Sequence, residues 1–343
     1  MLINTRKYFL VLLILLSGWI AGVQGIAQDP LFSQFHMAPM QFNPAFAGNT
    51  YAPLIHLNSR MQWPSIDLAY NTVSLSYDQF FKKYNSGLGF AVFNDRAGNG
   101  IINTLRMESY NSYSLRIKDD NYVKMGLGFS LVQKRLNWQK LIFPDQLDPA
   151  YGSTDKNGDK LISGELQPDN LTLFYPDISV GILYYSPDFY AGISIAHGNT
   201  PDDDFLNTGI NDAIGLSNRY TAQIGAQFSL PYTFLHKTTF LSPSLLYARQ
   251  ANLNQINGNL ILDMGTIYAG VGYRYVFENP DAVIMSVGFQ NGLYKIGYSY
   301  DLTVSKLTTG SGGSHELGLI INFDHSEWFE KPNRYSDCFE VFR

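Results

Sequence analysis

From about residue 54 to residue 323, apolar and polar residues take turns in short runs separated by turn signals. In residues 294–302, Tyr294, Ile296, Tyr298, Tyr300 and Leu302 alternate with Lys295, Gly297, Ser299 and Asp301. Ile267, Ala269, Val271, Tyr273, Tyr275 and Phe277 repeat the pattern around Gly270, Gly272 and Arg274, as do Val123, Met125, Leu127, Phe129 and Leu131. Residues 220–230 alternate throughout. A period of two puts each apolar set on one face of a strand, whereas a helix would scatter it. About fourteen such runs begin near Leu54, Asn71, Gly87, Arg106, Tyr122, Asp177, Phe189, Arg219, Lys237, Gln255, Thr266, Ala282, Leu293 and Ser314. Most are about 9–12 residues long, enough for a tilted strand to cross a bilayer. The expected fold is all-β: a transmembrane outer-membrane β-barrel of about fourteen antiparallel strands, the even number usual in bacterial single-chain barrels.

The connections give a separate test. Even-numbered runs end in tight turns at 82–86, 118–121, 186–188, 263–265 and Asn291-Gly292, with a slightly longer connection over 230–236. Asn, Asp and Gly favour such hairpins because they tolerate positive φ. Odd-numbered runs lead into long loops at about 135–176, 198–218 and 303–313. Long and short connections thus alternate, in the phase of external loops and periplasmic turns.

Composition agrees. Charged residues make up only 15% of the chain and aromatics another 15%, with 23 Tyr, 23 Phe and 30 Gly. The usual charged share is about 25%. Arg6 and Lys7, an apolar run over 8–20 and small residues at Gly25 and Ala27 have the form of a cleavable secretory signal peptide, 1–27. Its removal would take the formal charge from −5 to about −7 by deleting two cations. The acidic balance argues against nucleic acid. The single cysteine, Cys338, has no partner for an internal disulfide.

Residues 28–50 break the alternation. Pro30, Pro39 and Pro44 interrupt Leu31, Phe32, Phe35, Met37, Met40, Phe42 and Phe46. So much apolar surface needs cover, so 28–50 is expected to fold under or into the barrel (51–323) as a plug. A tail over 324–343, with Trp328, Phe329, Tyr335 and Phe339, is expected in the periplasm, either loosely ordered or docking on a partner.

Residues 28–35, Gln-Asp-Pro-Leu-Phe-Ser-Gln-Phe, followed by Gln41-Phe42-Asn43-Pro44-Ala45-Phe46-Ala47-Gly48, strongly resemble the N-terminal signature of the PorP/SprF family of type IX secretion system membrane proteins. Arg60-Met61-Gln62-Trp63-Pro64, Asn94-Asp95-Arg96-Ala97-Gly98, residues 143–149, Tyr298-Ser299-Tyr300-Asp301 and Gly313-Ser314-His315-Glu316-Leu317 continue the resemblance in order. The loop around 150–170 and the tail match less closely. The resemblance implies an outer-membrane barrel of Bacteroidota that receives the C-terminal domain of secreted proteins, large adhesins in particular, and holds the cargo at the cell surface. Some members instead connect the secretion or gliding apparatus to periplasmic components. Expected partners are therefore the cargo C-terminal domain, other type IX secretion components and a periplasmic partner at the tail.

Candidate partner-binding residues are Asn43 and Pro44 in the plug, Arg60, Trp63, Asp95 and Arg96 at the outer ends of early strands, and His315-Glu316, read as a structural pair near the outer rim with partner binding as the alternative. Asp155, Asn157 and Asp159 occupy positions 1, 3 and 5 of a calcium-loop pattern that lacks its Gly and final Glu. They are a candidate weak calcium site, against a solvated acidic turn. Asp202-Asp203-Asp204 reads as a solvated loop tip. The six histidines are dispersed and no G-x-S-x-G motif occurs, so no enzyme is expected. The alternatives to cargo anchoring are a solute channel or transporter, and a scaffold linking the outer membrane to periplasmic machinery.

Overall fold

The computed structural model describes residues 29–66, 69–118, 120–154, 156–205, 215–234, 237–277, 279–304, 309–325 and 342. The signal-peptide residues, Asp155, Cys338 and the tail aromatics Trp328, Phe329, Tyr335 and Phe339 lie outside the described residues. The strands are β1 Leu54–Gln62, β2 Tyr70–Phe81, β3 Ser86–Ala97, β4 Ile102–Lys118, β5 Asn121–Leu136, β6 Thr172–Tyr185, β7 Phe189–Ala196 and β8 Arg219–Ala226. They continue with β9 Phe228–Phe234, β10 Lys237–Gln250, β11 Leu253–Asp263, β12 Ile267–Val276, β13 Asn279–Asn291, β14 Tyr294–Thr303 and β15 Ser314–Asn322.

Sequence neighbours pair antiparallel except β8 and β9, β1 pairs with β15, and β10 pairs with β8, β9 and β11. β8 and β9 are two halves of one strand, so the sheet closes into a fourteen-stranded antiparallel barrel. The β1–β15 pairing closes the ring, as spanning a bilayer with strands requires. No helix among the described residues is long and apolar enough to cross a membrane, which does not bear on strands.

The alternation sorts the two faces of the wall. Leu57, Leu75, Val92, Met107 and Leu131 are exposed on the outside, while Asn58, Ser74, Ser76, Ser112, Thr221 and Ser299 are buried inside. Strand lengths depart from the expected range. β4 and β5 have 17 and 16 residues and carry the wall beyond the apolar band, whereas β7 and β8 have eight. The expected connection over 230–236 is also corrected: the strand continues to Phe234. The interruption is at Gln227, whose N–H donates to the carbonyl of Asp188, just before the start of β7. Beyond that point β9 pairs with β10 alone.

Residues 29–50 run inside the wall. Phe32, Phe35, Met37, Met40, Phe42 and Phe46 are all at most 4% exposed. Burying each such side chain contributes about 1.5–3 kcal/mol. The segment descends from Asp29, bonded to the loop-side ends of β7, β8 and β10, to Thr50, whose carbonyl accepts from Phe80 near the short turns.

Candidate functional site

Two charged clusters and one glycine seam fix this segment to the wall. At its upper end the Asp29 carboxylate accepts from Arg219 (2.6 Å), lies 2.8 Å from His197 Nε2 and is 3.3 Å from Arg106. His197 Nδ1 is 2.9 Å from Asp177. Burial alone would raise the Asp29 carboxyl, but His197, Arg106 and Arg219 together hold it well below the usual range. Burial would lower His197, just past β7, but the two carboxylates on its ring raise it to about 9.

Below this, Ser33 is the hub of the second cluster. Its hydroxyl donates to Asp301 (2.6 Å) and accepts from Arg60 (2.8 Å) and Arg274 (2.6 Å). Its amide and that of Gln34 donate to the two oxygens of Glu316, at 2.7 and 2.9 Å. Asp301 in turn accepts from both arginines at 2.9 Å. Arg60 also pairs with Glu316, and Arg274 with Asp281. With Asn259 Nδ2 of β11 donating to the Ser33 carbonyl at 3.1 Å, five strands, β1, β11, β12, β14 and β15, hold one serine of the N-terminal segment.

Further down, Met37 O accepts from Asn58 Nδ2, and Lys124 Nζ donates to the carbonyls of Ala47 (2.7 Å) and Gly48 (2.9 Å). Asn43 is extended before Pro44, as a residue preceding proline prefers to be. Its Nδ2 donates to the carbonyls of Ile182 and Ile193, and its Oδ1 accepts from Ala45 N. The wall approaches closely here: a Cβ at Gly126 would collide with the backbone of Pro44 and Ala45, and one at Gly181 with the Asn43 side chain. Gly126→Ala is therefore expected to cost about 1–3 kcal/mol by overpacking and to unseat the segment without opening the sheet. Protease resistance of the 29–50 segment would fall while the heat-modified gel migration of the barrel stayed unchanged. Unaltered resistance would contradict this packing.

The histidines set opposite pH limits on the same segment. His197 contributes fully below the free-histidine value of about 6.5, and that contribution is lost as pH rises through about 9. Burial, aided by the charge of Lys295, pushes buried His36 down to about 3. It stays neutral in place, so its contribution is complete above about 6.5 and declines as pH falls toward about 3. The segment should be held most firmly at about pH 6.5, where neither contribution has yet declined. Planar-bilayer conductance should be lowest at about pH 6.5 and increase both toward about pH 9 and toward about pH 3; a pH-independent trace would contradict the assignment.

Above the segment, a cavity of about 580 Å³ opens toward the long loops, floored by Asp29, Pro30 and Leu31. Arg60, Trp63, Asp95, Lys134, Arg274 and Asp281 line this vestibule. Trp63 has positive φ (56°), its N–H donates to Gly313 O, and its ring meets Tyr70 edge-on at 5.8 Å.

The expected site residues are partly brought together. Arg60, Trp63 and Asp95 converge on the vestibule, but Arg60, Asp95 and Glu316 are buried rather than displayed on the rim. Asp95 accepts from Thr72 Oγ1. Arg96, next along the strand, points outward, because successive strand side chains alternate faces. The same geometry separates the expected His315-Glu316 pair: Glu316 joins the Ser33 cluster, while His315 lies outside against Tyr298 and Tyr300. Asn43 and Pro44 are buried within the lumen. Asp203 is not a free loop tip, since it pairs with Lys134 at 2.7 Å. Asn157 and Asp159 are exposed. Among the described residues no three His, Cys, Asp or Glu side chains gather as a metal-binding group. Sequence reasoning did not single out Ser33, Asp29, Arg274 or Asp301 as site residues. The available signal was a charge on the inward phase of a strand in a chain with so few charges.

The residues of the N-terminal signature are those held by these clusters, and the profile of the type IX secretion system membrane protein PorP/SprF family matches residues 24–321. The chain belongs to the PorP/SprF family. Its barrel is accordingly an outer-membrane one. Comparison with curated proteins gives no match. Solved structures similar to this PorP/SprF barrel include the Ralstonia pickettii toluene transporter TbuX (12% identity, TM-score 0.48, covering 83% of this chain and 92% of that one). Another is the Acinetobacter baumannii outer-membrane protein Omp33 (8% identity, TM-score 0.45, 80% and 100%).

Proposed function

We propose that this PorP/SprF barrel is a non-catalytic receptor of the type IX secretion system, receiving the C-terminal domain of a secreted protein at its outer mouth and holding that cargo at the surface. The observation that carries this reading is the lumen itself. Residues 29–50 pack against its inner wall, and a cavity of about 580 Å³ remains above Asp29, Pro30 and Leu31. Such a cup suits docking better than passage. Its lining mixes Arg60, Lys134 and Arg274 with Asp95 and Asp281, which would recognise a polar, charge-bearing segment. Affinity isolation of the full chain from native membranes should co-purify a large surface protein, and Trp63→Ala with Lys134→Ala should lose it while the barrel remains folded. Isolation without any such protein, or retention by the double variant, would sink the reading.

A solute channel is the second reading, favoured by the closed barrel with its polar inner wall. It requires residues 29–50 to move aside, and flux into proteoliposomes by the intact chain would support it.

A further inference from the structure

A second cavity, larger than the vestibule, lies on the outside of the wall. It measures about 910 Å³ and is roofed by the β5–β6 loop through Trp138 and Lys140. The roof is tied down: Asn137 N donates to Ile101 O, and Lys140 Nζ to Asn99 O at 2.7 Å.

The register places its back wall in one row. Met61 pairs with Asn71, Asn71 with Arg96, Arg96 with Asn103, and Asn103 with Arg135. All stand on the outward phase of β1 to β5. Two rows below, Leu57, Leu75, Val92, Met107 and Leu131 form an exposed apolar row. From Phe81 near the short turns to Asn71 is ten residues along β2, or about 33 Å at ~3.3 Å per residue. At a tilt of ~40° the rise is about 25 Å, the height of the apolar band of such barrels. The Arg96–Arg135 row therefore sits where hydrocarbon ends on the outer side.

Arg96, Arg135 and Lys140 bring three cations to this cavity, and no Asp or Glu is among the described residues lining it. Arg96 and Arg135 are exposed, and no carboxylate pairs with either among the described residues. Arginine forks match phosphate oxygens two at a time, and a planar indole suits the interface. Basic pockets beside a membrane span are the usual means of holding an anionic headgroup.

We propose that this cleft binds a phosphorylated glycolipid of the outer leaflet, with Arg96 and Arg135 on a headgroup phosphate, Lys140 closing over it and the acyl chains lying down the Leu75–Met107 face. The occupant follows from charge complementarity at the top of a continuous lipid-facing surface. Such a lipid would brace the loops that frame the outer mouth, so the site is separate from the vestibule and its cargo.

The test uses the full chain in neutral detergent, with bound lipid counted by native mass spectrometry. Probes are diphosphorylated lipid A, its dephosphorylated form, and millimolar inorganic phosphate as competitor. Lipid A should stay bound, the dephosphorylated form should not, and inorganic phosphate should leave lipid A in place. Arg96→Gln with Arg135→Gln should weaken lipid A binding by about a hundredfold, roughly tenfold for each lost charged hydrogen bond. If that variant does not fold, Asn103→Asp, which sets a carboxylate between the arginines, should weaken binding in a barrel with native gel migration. Equal binding of the dephosphorylated lipid, unchanged binding by a folded variant, or displacement by inorganic phosphate would each overturn the proposal. Displacement would assign the cleft to a soluble anion.

Discussion

Deleting residues 29–48 should turn a barrel that conducts at leak level into one with a large, stable open state in planar bilayers. The side chains that would be uncovered are the reason. The inner wall presents Ser74, Ser76, Ser112, Ser130, Thr221, Gln223 and Ser299, all buried beneath the segment yet suited to water. Removing the segment forfeits the burial of its aromatic and methionine side chains, on the order of 10 kcal/mol at ~1.5–3 each. The closed ladder and the lipid-facing band remain. The deleted form should thus insert and stay barrel-like by circular dichroism while its conductance rises. Leak-level conductance in a correctly inserted deletion would mean that something other than 29–48 closes the lumen. Phe342, packed between Phe46 and Tyr190 with ring centroids at 5.0 and 5.2 Å, is the neighbour to examine next.

The second large effect is expected at Asp301. It is buried and accepts from Arg60, Arg274 and Ser33 together. Asp301→Ala leaves two buried guanidinium groups to share Glu316 and Asp281. Breaking such a network from one side costs about 3–5 kcal/mol, because an uncompensated buried charge remains. Equilibrium unfolding by urea in phospholipid vesicles would measure it. An exposed pair gives the contrast: Arg116 and Asp120 are 3.9 Å apart with both side chains more than half exposed. Asp120→Ala should change stability by less than about 1 kcal/mol. A loss at Asp301 no greater than that at Asp120 would refute the structural role given to the cluster.

The wall was legible because its chemistry is periodic. Leu75 and Ser76, or Tyr298 and Ser299, face different solvents at every step, and that difference is written directly into consecutive letters. The break at Gln227 was not legible, since residues 220–230 alternate straight through it. Pairing on that side stops because the neighbouring strand β7 begins only at Phe189, opposite Ala226, a property of the fold and not of the run itself. The charged clusters were only half legible. Lys295, Asp301 and Arg274 were visible as charges on the wet face. The joining of Asp301 and Arg274 to Ser33 spans 268 residues in one bond and 241 in the other, and local pattern carries no trace of that. Alternation also explains why adjacent candidates separated: Asp95 from Arg96, and His315 from Glu316.

The direction in which the N-terminal segment lies constrains how the molecule can be built. Asp29 N donates to Gln250, 221 positions later in the chain, and Ser33 meets residues supplied by β12, β14 and β15. The earliest part of the polypeptide must therefore wait, unsatisfied, for the latest. A finished ring would have to admit a stretch crowded with phenylalanines and draw it nearly its whole length past close-fitting glycines. Curling the sheet around a strand of chain already in position demands no such passage. Residues 29–50 would then serve as the mandrel on which the cylinder is wound, and the β1–β15 seam as the last stitch.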